Sequence, residues 1–187
     1  ALGVQEITRF SYRELFLKFL KIDPFVASTA DLKSLARDQI EVNFDSTDRD
    51  LWLDLLMSHL VEPAITELGM CFVYDYPASQ AALSQIVSSG GVDVGQRFEL
   101  YINGLELANG YCELLDAKEQ RARFVADNVR RKKLGQLERP LDELLLAAMD
   151  HGLPACSGVA LGIDRLLMAA INTSDIREVL AFDWSRC

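Results

Sequence analysis

Histidine is almost missing from this sequence: only His59 and His151 occur, far apart. A histidine-rich metal centre is therefore not expected. Paired cysteines are missing too. Cys71, Cys112, Cys156 and Cys187 form no CxxC and no zinc spacing, so reduced thiols are the expected state. No apolar run reaches the ~18 residues that a membrane span needs, and no signal peptide opens the chain. These features lead us to expect a cytoplasmic protein with no membrane partner. An excess of positive charge is also lacking. The net charge is −9, whereas a free-standing nucleic-acid binder usually carries a basic footprint. Glycine (11) and proline (5) are too few for a collagen-like or low-complexity chain.

What is present is ordinary for a folded protein. Half of the 187 residues are apolar and a quarter charged, enough for one domain with a real core. The first residue is not Met, and structured-looking sequence begins at once, so a piece of something longer is expected.

Helix signals dominate the first third. Ser11 and Glu14 form a capping box, with Phe10 and Leu15 at the staple positions. That helix should run through Leu20 and stop before Asp23-Pro24. A second is expected near Thr29, covering Leu32 to Ala36. A third should start near Thr47, carry Leu51, Trp52, Leu55, Leu56 and Leu60, and end before Pro63, with a short helical piece closing at Gly69. Met70–Tyr76 reads as a strand stopped by Pro77. Residues 78–87 read ambiguously, with a short helix as the named reading. Ser88 to Gly91 reads as a loop, and the weakest seam of the chain as residues 88–95. A hairpin is expected over 98–108, helices over 116–134 and 141–149, strands over 157–162 and 179–182, and a helix over 164–171. Helices followed by hairpins alternating with helices predict an α+β fold with a mostly antiparallel sheet. Residues 1–69 would be mainly helical, and 70–187 would carry the sheet.

The hairpin is the most informative stretch. Asn103-Gly104 between apolar runs is a strong two-residue turn signal. Strict alternation puts Phe98, Leu100, Ile102, Leu105 and Leu107 on a core face, and Glu99, Tyr101, Glu106 and Ala108 on the other. Glu99 and Glu106 become diagonal neighbours about 7–8 Å apart. Two adjacent carboxylates repel, so they need solvent, a basic partner or a divalent cation, and hard oxygens suit Mg²⁺. The same alternation puts Asn109, Tyr111 and Glu113 on the apolar face. A bulge or break at Gly110 could re-aim them. A second cluster spans Cys156 to Met168. Small residues at 157, 158, 160 and 162 lie on a strand running into a helix, and Arg165 falls in its first turn. A cation there meets an unfavourable dipole unless an anion or carboxylate lies close. A basic stretch from Arg121 through Arg139 could dock an acidic protein or an RNA phosphate, or be a solvated helix face.

Together the segments carry a resemblance. Gly158-Val-Ala-Leu-Gly162-Ile-Asp164-Arg165-Leu-Leu-Met resembles motif 3 of the class II aminoacyl-tRNA synthetases. Phe98-Glu99 with Gly104-Leu-Glu106-Leu-Ala-Asn109-Gly110-Tyr111-Cys-Glu113 resembles the preceding block of the lysyl-tRNA synthetases. Closer still is the related ligase family that attaches lysine, preferably β-lysine, to elongation factor P. That likeness also takes in Phe10 to Pro24, Phe72 to Gln80 and Asp116 to Gln120, and so covers essentially the whole chain.

The resemblance implies ATP and Mg²⁺ as cofactors. Glu99 and Glu106 would hold the metal on ATP. Arg165 would contact ATP as the catalytic arginine, beside Gly158 and Gly162. Asn109, Tyr111, Glu113 and Ala160 would line the amino-acid site. Synthetases have Gly where this chain has Ala160, which points to the ligases. Motifs 1 and 2 are absent, so the chain would be the C-terminal part of a catalytic domain, inactive alone, from a homodimer acting on elongation factor P rather than tRNA. A fragment of a true lysyl-tRNA synthetase and a non-catalytic module that keeps the pocket are the alternatives.

Overall fold

The computed structural model describes residues 7–185. Cys187 lies outside them. The class is α+β, as expected: a six-stranded mixed sheet carries a helical layer.

Strand β1 (Ile7–Ser11), which the sequence pattern did not reveal, feeds straight into α1 (Tyr12–Leu15). Ser11 serves both. Its backbone ends the strand, and its hydroxyl and Glu14 form the capping box. A π-helical turn, Phe16–Leu20, carries the helix on until Lys21 turns left-handed. Helix α2 (Thr29–Gln39) starts from a second capping box, Ser28 with Asp31. Helix α3 (Arg49–Leu56) is capped by Asp48 and passes through a π turn, Met57–Val61, into α4 (Glu62–Ile65). Pro63 therefore does not end this run. It sits in the first turn of a new α-helical stretch, where a missing N–H costs nothing. Gly69, at φ +68°, stops it.

Strand β2 (Met70–Pro77) follows as expected. After a single 3₁₀ turn at Ala78–Gln80, the ambiguous segment becomes β3 (Ile86–Ser89), hairpinned to β4 (Val92–Ile102) through Gly90 and Gly91. What read as the weakest seam is thus sheet. Strand β5 (Leu105–Cys112) completes the second hairpin, α5 (Ala117–Lys133) and α6 (Glu143–His151) follow, and β6 (Ser157–Leu161) leads into α7 (Ile163–Ile171). No strand forms at 179–182; a 3₁₀ turn at Ile176–Glu178 precedes it instead.

The strand order is β1-β2-β4-β5-β6, with β3 on β4. Only the β1–β2 pairing is parallel. The main core lies between α1–α4 and the β2–β4 side, with Trp52, Leu53, Leu56, Val61 and Ile65 packed on Cys71, Val73 and Tyr101. Strand β6 is an outer strand whose Val159 and Leu161 stay exposed.

Four residues of the basic stretch on α5 have acidic partners. Arg121 meets Glu143, Arg123 meets Glu119, Arg130 meets Asp48 and Lys132 meets Glu138. These pairs fit the solvated-face reading.

Candidate active site on the polar face of the sheet

The hairpin turn forms as its sequence demands. Asn103 and Gly104 both take positive φ, +49° and +77°, the conformation that favours Asn-Gly in two-residue loops. Ile102 faces Leu105 and Tyr101 faces Glu106. The register then slips: Leu100 faces Ala108, and Glu99 faces Asn109. Leu107 is the extra residue of a β-bulge, three positions before Gly110, where a break was expected.

One inserted residue inverts every side chain beyond it. Ala108 moves off the Glu99 face, and Asn109 and Tyr111 move onto it, opposite Glu99 and Arg97. Ala160 and Gly158 of β6 pair with Asn109 and Tyr111 and so share that face. Glu106 remains on it, across from Tyr101. The bulge is what gathers the polar groups.

On β4 this polar face is buried beneath the helical layer, contrary to the expected division into core and solvent faces, while Glu106, Asn109 and Tyr111 are half-buried. Glu99 is 6% exposed and Tyr101 2%, whereas Phe98 and Leu100 are only half-buried. The charge is met by a ring of donors. Tyr76 and Tyr101 each donate a hydroxyl to Glu99 Oε2 at 2.6 Å. Asn109 Nδ2 donates to Oε1 at 3.1 Å, and Arg97 forms an ion pair with the same oxygen. Arg97 also reaches Gln80 O at 3.0 Å and Asn109 Oδ1 at 3.3 Å. Burial and the Glu99 charge push both tyrosine hydroxyls well up. Burial lowers the Arg97 guanidinium, but Glu99 together with Tyr76, Tyr111 and Tyr101 outweighs it and the net direction is up.

Arg97 and Tyr76 were not picked from the sequence. Arg97 stands two residues before Glu99, so strand alternation could have found it. Tyr76 has no local signal, because only strand pairing brings it to Glu99.

The second carboxylate has a different setting. Glu106 is half-buried, and Arg165 Nη1 lies 3.5 Å from its Oε2 and donates to its main-chain oxygen at 2.7 Å. The carboxylate expected beside the early-helix arginine is therefore Glu106. Both acids have basic partners, so their repulsion does not by itself demand a metal. As a test of fit to Mg²⁺, Glu106 keeps oxygen lone pairs in reach of solvent. Glu99 spends its oxygens on four protein donors. The donor set suits a hard ion through Glu106, with Glu99 available once a protein donor is released.

Glu113 closes the far end. Its backbone is held by Cys156 O at 3.0 Å and by Gln85 Nε2 at 3.0 Å. A Cβ on Gly158 would stand 2.2 Å from Glu113 Oε1. Gly158 thus makes room for a carboxylate. Gly162, where a Cβ would meet nothing closer than 3.5 Å, has no such steric need. Gly158→Ala is expected to leave thermal stability nearly unchanged, since only the end of a side chain must move, but to displace the Glu113 carboxylate. A structure of the variant with Glu113 unmoved would contradict this.

Residues 5–186 match the family model for class II tRNA synthetases (D, K and N). The chain belongs to that family. The relatives include proteins named elongation factor P–(R)-β-lysine ligase. The one from Mannheimia succiniciproducens is 49% identical over 173 residues, which is 92% of this chain and 53% of the relative. That from Pseudoalteromonas translucida is 47% identical over 187 residues, 99% of this chain and 57% of the relative. That from Proteus mirabilis is 48% identical over 174 residues, 92% and 53%. The chain spans about half the length of the curated relatives it matches. No helix among the described residues is long and apolar enough to cross a membrane.

Proposed function

We propose that this chain is the C-terminal part of a class II catalytic domain. Its full-length protein activates lysine or β-lysine with ATP, forming an aminoacyl-adenylate, and passes the acyl group to a lysine side chain of elongation factor P. The observation that carries the reading is the Leu107 bulge, which sets Glu99, Glu106, Asn109 and Tyr111 on one face with Arg97. The ligase names of relatives at 47–49% identity support the substrate and partner.

The roles follow from the chemistry of each group. Glu106, with Glu99 across Tyr101, would hold Mg²⁺ on the nucleotide, which neutralises phosphate charge. Arg165, its guanidinium partly exposed and its orientation set by the Glu106 carbonyl, is the catalytic arginine facing ATP, with Gly158 and Gly162 beside it. Glu113 takes the substrate ammonium by a charge-assisted bond. Asn109, Tyr111 and Ala160 shape the pocket. The Arg97–Glu99–tyrosine ring holds Asn109 in place without reacting. We read the full-length protein as a cytoplasmic homodimer that does not use tRNA.

The test is ATP–pyrophosphate exchange by the full-length protein with α-lysine, β-lysine and norleucine, followed by transfer to elongation factor P. Exchange with either lysine isomer and modification of elongation factor P are expected. Charging of tRNA instead would overturn the reading. Ala160 faces Asn109 across β5–β6, and one methyl in a close-fitting pocket is worth ~1–3 kcal/mol of discrimination. Ala160→Gly is accordingly expected to shift the activation ratio about tenfold toward α-lysine. An unchanged ratio removes Ala160 as the selector.

A further inference from the structure

A cavity of about 690 Å³ lies between α3 and the sheet, on the side of Glu99 away from β5. Its walls are largely apolar, with Phe44, Leu55 and Met57 from the helical layer and the rings of Tyr76 and Tyr101 from the sheet. Tyr12 lines it as well. The Tyr12 side chain is 1% exposed, stacked on Phe16 at 4.6 Å and tilted against Tyr76 at 5.1 Å, and its hydroxyl has no hydrogen-bond partner. Buried polar groups are nearly always paired, so an orphaned hydroxyl at a cavity wall marks a place for a ligand.

Besides Glu99, two further carboxylates line the same space. Glu62 Oε1 lies 3.3 Å from the Tyr101 hydroxyl, whose proton is already committed to Glu99 at 2.6 Å. Asp54 accepts one bond, from Gln80 Nε2 at 2.8 Å. Burial raises both acids, Asp50 adding to the effect on Asp54 and Glu99 to that on Glu62. The two arginines at the cavity are engaged elsewhere, Arg97 with Glu99 and Arg130 with Asp48. Against these acceptors stands the unpaired Tyr12 hydroxyl, so acceptor capacity in the cavity exceeds the donors left uncommitted. An anion would meet like charge. A bare metal ion would leave the apolar walls uncovered. A primary ammonium brings three donors and no acceptor, aromatic faces favour its charge, and an alkyl stem covers apolar walls.

We propose that this cavity is the subsite for a primary alkylammonium, the side chain of the lysine that accepts the acyl group. The assignment rests on the function proposed above. That reaction handles two amines, one carrying the acyl group and one receiving it. The chain holds two separate acidic sets, Glu113 beside β6 and Asp54 with Glu62 beside α3, divided by the Arg97–Glu99 pair.

The experiment is calorimetric titration of the full-length protein with Nα-acetyl-lysine methylamide, a stand-in for the accepting side chain. The expected result is saturable binding, at least tenfold weaker for the norleucine analogue that lacks the ammonium. Glu62→Gln and Asp54→Asn should each weaken it severalfold. Tyr12→Phe should weaken it as well, yet melt at the same or a higher temperature, because it removes an unpaired hydroxyl. In transfer assays these changes should raise the KM for the accepting amine by at least tenfold more than the KM for ATP. Equal binding of the two amides overturns the proposal. So does a KM for the activated amino acid that rises as far as the acceptor's, or tight binding of putrescine with none of the lysine amide. A parent protein without pyrophosphate exchange would defeat the proposed function, while the calorimetric comparison would still decide the cavity.

Discussion

Arg97→Leu is expected to cost about 3–5 kcal/mol of folding stability, because it strands a buried carboxylate without its cation. Glu99 is 6% exposed, and three neutral donors would remain on it, Tyr76, Tyr101 and Asn109. Hydrogen bonds soften an uncompensated charge but do not cancel it. Such a loss is about a fifth or more of the ~5–15 kcal/mol that holds a typical domain together. Arg97→Lys should cost less, since the charge survives while the fork to Gln80 O and Asn109 Oδ1 is lost. Replacing both partners, Arg97→Leu with Glu99→Leu, should recover part of the loss, because the stranded charge goes too. Urea unfolding of the three variants checks the order. A single variant as stable as the parent would show that the pair is not the anchor of this face.

Glu106→Gln is expected to do the reverse, sparing the fold and removing activity. Glu106 is half-buried and its carboxylate makes one long contact, to Arg165 at 3.5 Å, so stability should change by less than ~1 kcal/mol. The bond that orients Arg165 runs to the Glu106 main chain and survives the change. If Glu106 meets the metal on ATP, pyrophosphate exchange should fall about 100-fold, the scale of losing one group that stabilises developing charge. Raising Mg²⁺ should restore part of the rate. Equal exchange by variant and parent across a Mg²⁺ titration would remove Glu106 from the nucleotide site.

Much of this was legible locally. Capping boxes at Ser11 and the Asn103-Gly104 turn are short-range chemistry, and the structure keeps both. The stop at Gly69 falls where φ is positive, which glycine suits, and Gly135, at φ +69°, follows the end of α5 in the same way. The failures have separate causes. β1 is short and its pairing partner, Met70–Tyr74, lies some sixty residues on, while β3 is a four-residue exposed strand whose hairpin partner is near but whose residues carry no apolar alternation. Pro63 survives inside a helical run because the π turn before it resets the hydrogen bonding.

The candidate site divides in the same way. Residue types alone indicated that Glu99, Glu106, Glu113 and Arg165 need solvent or charged partners, and the family resemblance singled them out as site residues. The sequence also determined that Glu99 and Glu106 share a face, because the turn sets the register for the residues next to it. Only the tertiary structure decided where that register breaks. The bulge falls at Leu107, and with it Asn109 and Tyr111 join Glu99 instead of the apolar side. Only packing decided that Glu99 and Tyr101 would be buried, because the helical layer settles over that part of the face and Tyr76, Tyr101 and Arg97 arrive from separate positions to satisfy one carboxylate. Turn chemistry acts over a few residues and can be read in order. A bulge and a buried hydrogen-bond ring depend on which strands meet, and that is settled only when the whole sheet closes.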